Sequence, residues 1–213
     1  MYLWSGTLSV FSAKVRIAAR EKNLPLEIRE VTWSRARLWD KPEALLAVSP
    51  RGQVPVLMDG ELAVFDSTII NEYLEERFPE LPLMPADTAG RARCRMWEEL
   101  GDDMLGRAMP VLVREIYLKA PGAPRDEAAV AAALEVVSTH HGRLEEALEG
   151  QDFLCGAYSL ADIGNFLAVA FCHTLGAPPD GALANLAAWY RRVAERPVVK
   201  EEFDAIVAAA AAA

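Results

Sequence analysis

The first 78 residues switch between a strand-like and a helix-like spacing of hydrophobic positions. Residues 2–5 form a short apolar segment and residues 26–31 alternate apolar and polar side chains, so both are predicted strands. Between them, over about residues 11–23, small and branched apolar side chains share one face of a predicted helix. Residues 33–48 are predicted to be a loop with a short helix.

Residues 51–65 carry the clearest hairpin signal in the chain. Two apolar runs are separated by Asp59-Gly60, a pair typical of a tight turn whose two central residues have positive φ angles. Asp66 or Ser67 is then placed to cap the helix that follows. A helix N-terminus of this kind attracts anions such as carboxylates.

These predictions give the element order β-α-β-α-β-β-α. A strand–helix–strand unit requires a parallel crossover, whereas the hairpin adds an antiparallel edge. The pattern therefore predicts a mixed four-stranded sheet with helices on both faces, which is similar to the thioredoxin fold. We expect this domain to cover residues 1–79, with a proline-rich linker at 80–85.

The remainder, residues 86–213, is predicted to be an all-helical domain, so the fold class is α/β plus all-α. A long helix is expected over 88–119 with a kink at Pro110, and two helices are expected near the end, over about 182–196 and 198–212.

Between these helices, Ser159 and Asp162 have the spacing of a shortened capping box. The helix that they begin extends to about Thr174 and is apolar on all sides. We therefore expect it to lie at the centre of the helical domain.

The 213 residues carry a formal net charge of −9. This charge argues against a nucleic acid or an anionic membrane as the main partner, and the arginines at 91, 93 and 95 are interpreted as a solvated helix face. No segment is apolar over the ~18 to 20 residues that a membrane span requires, and Met1–Trp4 lacks the basic region of a signal peptide.

Three cysteines occur at positions 94, 155 and 172. Their odd number and wide spacing predict neither a disulfide framework nor a zinc site. A reducing, cytoplasmic location is therefore expected.

The loop after the first predicted strand contains Ser9 and Ser12. Redox proteins of the thioredoxin fold have two cysteines at this spacing, and a hydroxyl cannot perform disulfide exchange. Ser9 can either cap the first helix or donate a hydrogen bond to a thiolate held at that helix terminus. The sequence leaves both roles open.

Five sequence blocks together resemble the cytosolic glutathione transferases, over nearly the whole chain. The blocks are Ser-x-Phe-Ser-x-Lys-Val-Arg-Ile-Ala at 9–18, Lys-Pro-Glu at 41–43, Ser-Pro-x-Gly-Gln-Val-Pro-Val-Leu at 49–57, Asp-Ser-Thr-Ile-Ile-x-Glu-Tyr-Leu-Glu-Glu at 66–76, and Ser-Leu-Ala-Asp-Ile at 159–163. The resemblance implies a homodimer that binds glutathione as co-substrate and needs no metal.

The resemblance also implies a role for each residue of a glutathione site. Ser9 addresses the glutathione sulfur, and Phe11 lines the same pocket. The residues implied for the rest of the tripeptide are Lys41 for the glycyl carboxylate, Gln53, Val54 and a cis Pro55 for the cysteinyl backbone, and Asp66 and Ser67 for the γ-glutamyl end.

The sequence departs from the family patterns at two places. Asp66 is one methylene shorter than the more usual glutamate, and Val10 and Phe11 replace the Ser-Cys part of the Ser-Ser-Cys motif of the maleylacetoacetate isomerase class. That isomerase activity is therefore not expected.

A second-substrate pocket is expected between the domains, with Phe11, Trp39, Trp97 and Met104 as candidates. Aromatic residues and methionines at helical spacing are also typical of a protein core. The histidines at 140, 141 and 173 are interpreted as surface or hydrogen-bonded core residues.

The favoured activity is attack by an enzyme-bound glutathione thiolate on a small hydrophobic electrophile. A non-catalytic binding or regulatory protein with the same fold is one alternative, and a specialised glutathione-dependent lyase or dehalogenase is another. The set formed by Ser9, Lys41, Asp66 and Ser67 favours an enzyme over a pure scaffold.

Overall fold

The computed structural model describes residues 1–34, 38–120 and 122–212. The chain divides into two compact units, of which the first contains Met1–Leu83 and the chain from Arg196 onward, and the second contains Met84–Glu195. The β-sheet lies in the first unit, and helices form the second. The predicted combination of a thioredoxin-like part and a helical part is confirmed.

The sheet of the first unit has four strands in the order β2-β1-β5-β6. β1 is parallel to β2 and antiparallel to β5, and β5 is antiparallel to β6. The predicted mixed sheet is therefore confirmed. Its strands are β1 (Tyr2–Ser5), β2 (Glu27–Glu30), β5 (Val56–Asp59) and β6 (Leu62–Phe65), and the segment predicted as a loop also holds the short pair β3 (Trp33–Ser34) and β4 (Leu38–Trp39).

Helices cover both faces of this sheet because side chains alternate along β1 and β5. Leu3 and Leu57 belong to one buried cluster with side chains of α1 (Val10–Glu21) and α3 (Ser67–Arg77). Trp4 and Val56, one position along, belong to a second cluster with Leu45 of the short helix α2 (Glu43–Leu46). The two clusters form the core of the first unit.

The hairpin turn differs by one residue from the sequence prediction. Asp59 pairs with Leu62, so the turn residues are Gly60 and Glu61, and only Gly60 has a positive φ, of 60°. A turn with glycine at its first central position needs a positive φ only there, so Gly60 sets the register. Asp59 ends β5, and its carboxylate accepts a hydrogen bond from the Tyr73 hydroxyl at 2.7 Å.

The last helix, α8 (Pro197–Ala212), belongs to the first unit, whereas the sequence analysis placed it in the helical domain. Residues at the start of this helix form ion pairs with α1. Arg196 donates from Nε and Nη2 to both carboxylate oxygens of Glu21, at 3.0 and 2.8 Å, and Arg20 pairs with Glu201. Helical periodicity alone does not indicate which unit a helix joins.

A buried ion pair holds the segment that leaves α3. Lys22 Nζ lies 2.7 Å from Glu75 Oε2 and also donates to the Leu81 carbonyl at 2.8 Å. The Glu75 carboxylate accepts from the Leu83 N–H at 3.1 and 3.2 Å. The proline-rich segment is thus tied to α1 and α3 through side chains that are 5% exposed or less.

The second unit contains α4 (Thr88–Leu112), α5 (Glu127–Ala147), α6 (Leu160–Thr174) and α7 (Ala184–Ala194). The helix predicted over 88–119 is α-helical through Pro110 to Leu112 and continues as a π-helical segment, Val113–Tyr117. Within this segment, Glu115 accepts from Lys119, the Asp126 N–H and Arg114, and these contacts lower the pKa of its carboxyl to about 2.

Helix α6 is the buried centre of this unit, as predicted. The capping box at its start is also confirmed: the fully buried Asp162 carboxylate accepts from the Ser159 N–H at 3.0 Å and from the Ser159 hydroxyl at 2.9 Å. The same carboxylate accepts from the Leu154 N–H at 3.0 Å and from Trp189 Nε1 at 2.8 Å. Burial nonetheless raises the pKa of the Asp162 carboxyl.

Cys94, Cys155 and Cys172 are free thiols. None of the helices in the described ranges is both long enough and apolar enough to cross a membrane.

His140 and His141 are core residues of α5, with 1% and 3% of their surfaces exposed, whereas His173 is exposed. His140 Nε2 lies 2.8 Å from Asn165 Oδ1 of α6. Burial lowers the pKa of both imidazoles. For His141, the nearby His140 and His173 add to the effect and the pKa falls to about 4.

We expect stability to fall as the pH drops from about 6.5 towards about 4, because in this window the unfolded chain binds a proton at His141 that the folded chain rejects. Between about pH 7 and pH 5 the contribution of His141 amounts to about 2 kcal/mol. Urea unfolding at both pH values measures this difference. His141→Gln should shrink it by about that amount, and His173→Gln, which removes only the smallest of the effects on the His141 pKa, should change it far less. An equal pH dependence in wild type and His141→Gln would contradict this expectation.

Candidate functional site

The register of the sheet brings three separate segments of the first unit to one edge. Trp4 pairs with Val56, and Val56 pairs with Phe65. The loop that follows β1, the residues that precede β5 and the residue that follows β6 therefore lie side by side. These segments contain Ser9, Val54-Pro55 and Asp66.

Ser9 is the N-cap of α1 and is 8% exposed. Its Oγ accepts a hydrogen bond from the Ser12 N–H at 3.2 Å. Because the oxygen acts as the acceptor in this contact, the hydroxyl hydrogen can be donated to a second group. Capping the helix and donating to an anion are therefore compatible roles for Ser9.

Ser12 holds the backbone of the loop that follows β1. It is fully buried, and its Oγ accepts from the Gly6 N–H at 3.3 Å. Redox proteins of this fold have a cysteine at this position. In this protein the serine holds the backbone of Gly6 instead.

Arg16 is a second support of this loop, and the sequence analysis did not single it out. Its Nη1 donates to Ser5 Oγ and, at 3.1 Å, to the Gly6 carbonyl, while Nη2 donates to the Thr7 carbonyl at 3.3 Å. Its seven-residue separation from Ser9 places both residues on the same side of α1, and this spacing was a signal in the sequence.

The segment before β5 is organised around Ser49. The Ser49 hydroxyl donates to the Gln53 carbonyl at 2.9 Å, and its oxygen accepts from the Gln53 N–H at 3.0 Å. The Val54–Pro55 peptide bond is cis, as the resemblance implied. The Lys41 ammonium also lies here, because a Cβ atom on Gly52 would be 3.7 Å from its Nζ.

Asp66 is the N-cap of α3 and has unusual backbone angles, φ 76° and ψ 129°. A non-glycine residue in such a conformation costs about 1–3 kcal/mol. Its exposed carboxylate accepts from the Thr68 N–H at 3.0 Å and from the Ile69 N–H at 3.5 Å. Ser67, which is 4% exposed, begins the helix.

A buried ammonium stands beside this helix terminus. Lys14 of α1 is 1% exposed, and its Nζ donates to Thr68 Oγ1 at 3.1 Å. A positive charge near the N-terminus of α3 strengthens its attraction for a carboxylate. Sequence reasoning assigned Lys14 no function, although the residue is part of the motif that contains Ser9.

The candidates for a second-substrate pocket have different surroundings in the two units. In the first unit Phe11 is half-buried in the first turn of α1, and the Trp39 ring packs so closely on Gly6 that a Cβ there would lie 2.2 Å from it. In the second unit Trp97 is half-buried, and its carbonyl accepts from Asn165 Nδ2 at 2.9 Å.

Met104 is 2% exposed, and its sulfur lies 3.7 Å from Cys172 Sγ inside the second unit. Met104 is therefore a core residue. The sequence analysis gave this as the alternative to a place in the second-substrate pocket.

Among the described residues, His, Cys, Asp and Glu side chains form no group of three or more that could hold a metal ion.

Comparison with known proteins identifies the family at both ends of the chain. Residues 8–77 match the glutathione S-transferase N-terminal domain, and residues 104–197 match the C-terminal domain. The solved structure of a glutathione S-transferase from Rhodospirillum rubrum is similar, with a TM-score of 0.81 and 30% sequence identity, and the match covers 94% of this chain and 90% of that one.

Two relatives have names other than glutathione transferase. The stringent starvation protein A homologue of Coxiella burnetii is 38% identical over 96 residues, a match that spans 45% of this chain and less than half, 44%, of that relative. The FtsZ-localized protein A of Caulobacter vibrioides is 29% identical over 196 residues, with 87% of this chain and 83% of the relative covered.

Both family domains match, and a solved transferase is similar over most of the chain. The chain therefore belongs to the glutathione S-transferase superfamily.

Proposed function

We propose that this protein is a glutathione transferase, in which Ser9 stabilises the thiolate of bound glutathione for attack on a small hydrophobic electrophile. The observation that carries the proposal is the geometry of Ser9. Its oxygen accepts from the Ser12 N–H at the start of α1, so its own hydrogen can be donated to a sulfur at the helix N-terminus.

The chemistry requires a lower thiol pKa. A free thiol with a pKa near ~8.5 is only a few per cent ionised at neutral pH. One hydroxyl donor together with the helix dipole lowers this pKa by about 1 to 2 units. A large share of bound glutathione would then be thiolate, which is the reactive nucleophile.

The remaining candidates match the charges of the tripeptide. We assign the glycyl carboxylate to Lys41 and the cysteinyl backbone to Val54, with Gln53 and Pro55 as its neighbours. The exposed Asp66 carboxylate suits the ammonium of the γ-glutamyl group.

The γ-glutamyl carboxylate is assigned to Ser67 and the N-terminus of α3. The Lys14 ammonium, hydrogen-bonded to Thr68, adds a favourable charge close to this position.

Several properties of the family extend to this protein as proposals. We expect a cytoplasmic homodimer that acts in detoxification, with glutathione as its co-substrate and without a catalytic metal. Trp39 and Trp97 remain proposed contacts for the electrophile. Nucleic acid and membranes are not proposed as partners.

A second function is favoured by the names of two relatives. A stringent starvation protein and an FtsZ-localized protein are similar to this chain in sequence, so a binding or regulatory role is the main competing function. A protein with that role can retain glutathione without lowering its thiol pKa. A lyase or dehalogenase would share the thiolate step, and trials with aryl ethers and haloalkanes would separate these activities.

The first test replaces Ser9 with alanine. Because this change removes the proposed donor, we expect the thiol pKa of bound glutathione to rise by about 1 unit and kcat to fall about tenfold or more at neutral pH. Ultraviolet thiolate absorbance across pH measures the first quantity, and turnover of an aryl halide measures the second. Asp126→Ala, which removes the N-cap of α5 in the other unit, controls for the loss of a helix cap.

Wild-type protein that binds glutathione with an unshifted thiol pKa would favour the binding or regulatory role. If the pKa is lowered equally in wild type and Ser9→Ala, another group activates the thiol and the assignment of Ser9 fails.

The second test is Asp66→Asn. Asparagine caps a helix about as well as aspartate, so stability should change little while the charge facing the γ-glutamyl ammonium is lost. We expect glutathione affinity to fall about tenfold, the effect of one charge-assisted hydrogen bond, as measured by calorimetric titration. Asp87→Asn, the same change at the N-cap of α4, should leave affinity unchanged. An unchanged affinity in Asp66→Asn would remove Asp66 from the site.

A further inference from the structure

Arg16 of α1 connects the C-terminal helix α8 to the Ser9 loop, residues 6–9. Arg16 lies between them, with Nη1 and Nη2 directed to the loop and Nε and Nη2 directed to Glu202 of α8. Glu202 Oε1 accepts from Nε at 2.7 Å and lies 2.6 Å from Nη2. Only 11% of the Arg16 side chain and 9% of the Glu202 side chain are exposed.

This pair differs from its neighbour on the same two helices. The Arg20 and Glu201 side chains are 42% and 67% exposed. An ion pair exposed to water contributes little, whereas removing one partner of a buried pair leaves an uncompensated charge. Glu202 therefore restrains Arg16, while Glu201 is a surface partner.

The Gly6 carbonyl joins Arg16 to Ser9. It accepts from Arg16 Nη1 at 3.1 Å and from the Ser9 N–H at 3.0 Å. The Gly6 N–H is held by Ser12 Oγ, and the Trp39 ring closes the space on the glycine's side. One peptide unit thus transmits the position of the guanidinium to the backbone of the proposed catalytic residue.

We propose that Glu202 is a positioning residue: it fixes Arg16, and through Gly6 it holds the Ser9 hydroxyl where it can meet the glutathione sulfur. The proposal rests on the transferase function proposed above. Neither matched family segment, 8–77 or 104–197, includes Glu202. The last helix would thereby take part in activating the thiol without touching it.

The direction of the effect separates positioning from simple electrostatics. Glu202→Gln removes a negative charge near the Ser9 loop, and by electrostatics alone this change should lower the pKa of a bound thiol. Positioning predicts the opposite, because a displaced hydroxyl stabilises the thiolate less well. The sign of the pKa change therefore decides between the two.

The experiment compares Glu202→Gln with Glu201→Gln as the matched control. In Glu202→Gln we expect a thiol pKa of bound glutathione raised by about half a unit and a kcat lowered about fivefold, with KM for glutathione changed less than twofold. Arg16→Lys, which cannot span the same acceptors, should lower kcat more than Glu202→Gln does. Glu201→Gln should leave all three quantities unchanged.

Backbone hydrogen exchange of residues 6–9, measured without glutathione, gives a readout that does not depend on transferase activity. We expect exchange there to be faster in Glu202→Gln than in wild type and Glu201→Gln. If wild type neither binds nor activates glutathione but exchange still responds to Glu202, the transferase function fails and the structural link holds. Unchanged exchange, or a thiol pKa that falls in Glu202→Gln, would overturn the positioning role.

Discussion

The site depends first on the pairing of Trp4, Val56 and Phe65 across neighbouring strands. This register places the end of β1, the start of β5 and the end of β6 at one edge. Segments that are far apart in the chain supply their polar groups there. A slip of one residue would turn every side chain of a strand to the opposite face and would separate the two buried clusters from their helices.

Positively charged groups lie near this edge of the sheet, although the chain as a whole is acidic. The net charge is −9, yet Lys14 and Lys41 both lie among the elements that form the site. The N-termini of α1 and α3 add partial positive charge at Ser9 and Ser67. The carboxylates of the tripeptide proposed for this site would therefore meet a field that the overall charge does not indicate, because charges within a few ångströms of a ligand dominate those beyond the screening length.

Periodicity and turn chemistry were sufficient to predict the order of the four sheet strands and the three helices that cover them, because each of these elements has a clear period and a clear breaker. They missed the pair β3-β4, whose strands are only two residues long. The same rules placed the capping box at Ser159 and Asp162. They misplaced the hairpin turn, since Asp59-Gly60 and Gly60-Glu61 are both compatible with the apolar runs, and only the strand pairing shows which one is used. They also could not locate α8, whose contacts with α1 join residues about 175 to 185 positions apart in sequence.

Only part of the candidate site could be predicted from the sequence. The family resemblance was enough to predict ligand contacts for polar residues such as Ser9, Lys41 and Asp66. Arg16 and Ser12 act on the backbone of Gly6. The spacing of Arg16 from Ser9 shows only that both lie on one side of α1, and the bonds to Gly6 become visible when the loop is folded. Met104 shows the reverse case, because its type suggested a pocket and its burial makes it part of a core.

Helix α8 also makes the first unit discontinuous along the chain. Ribosomes release residues 1–83 first, and the helical unit is synthesised in full before Pro197–Ala212 emerges. During that interval α1 lacks the carboxylates that later pair with Arg16 and Arg20. With the positioning role proposed for Glu202, the Ser9 loop would gain its last support only when the final helix is synthesised, after the helical unit is complete.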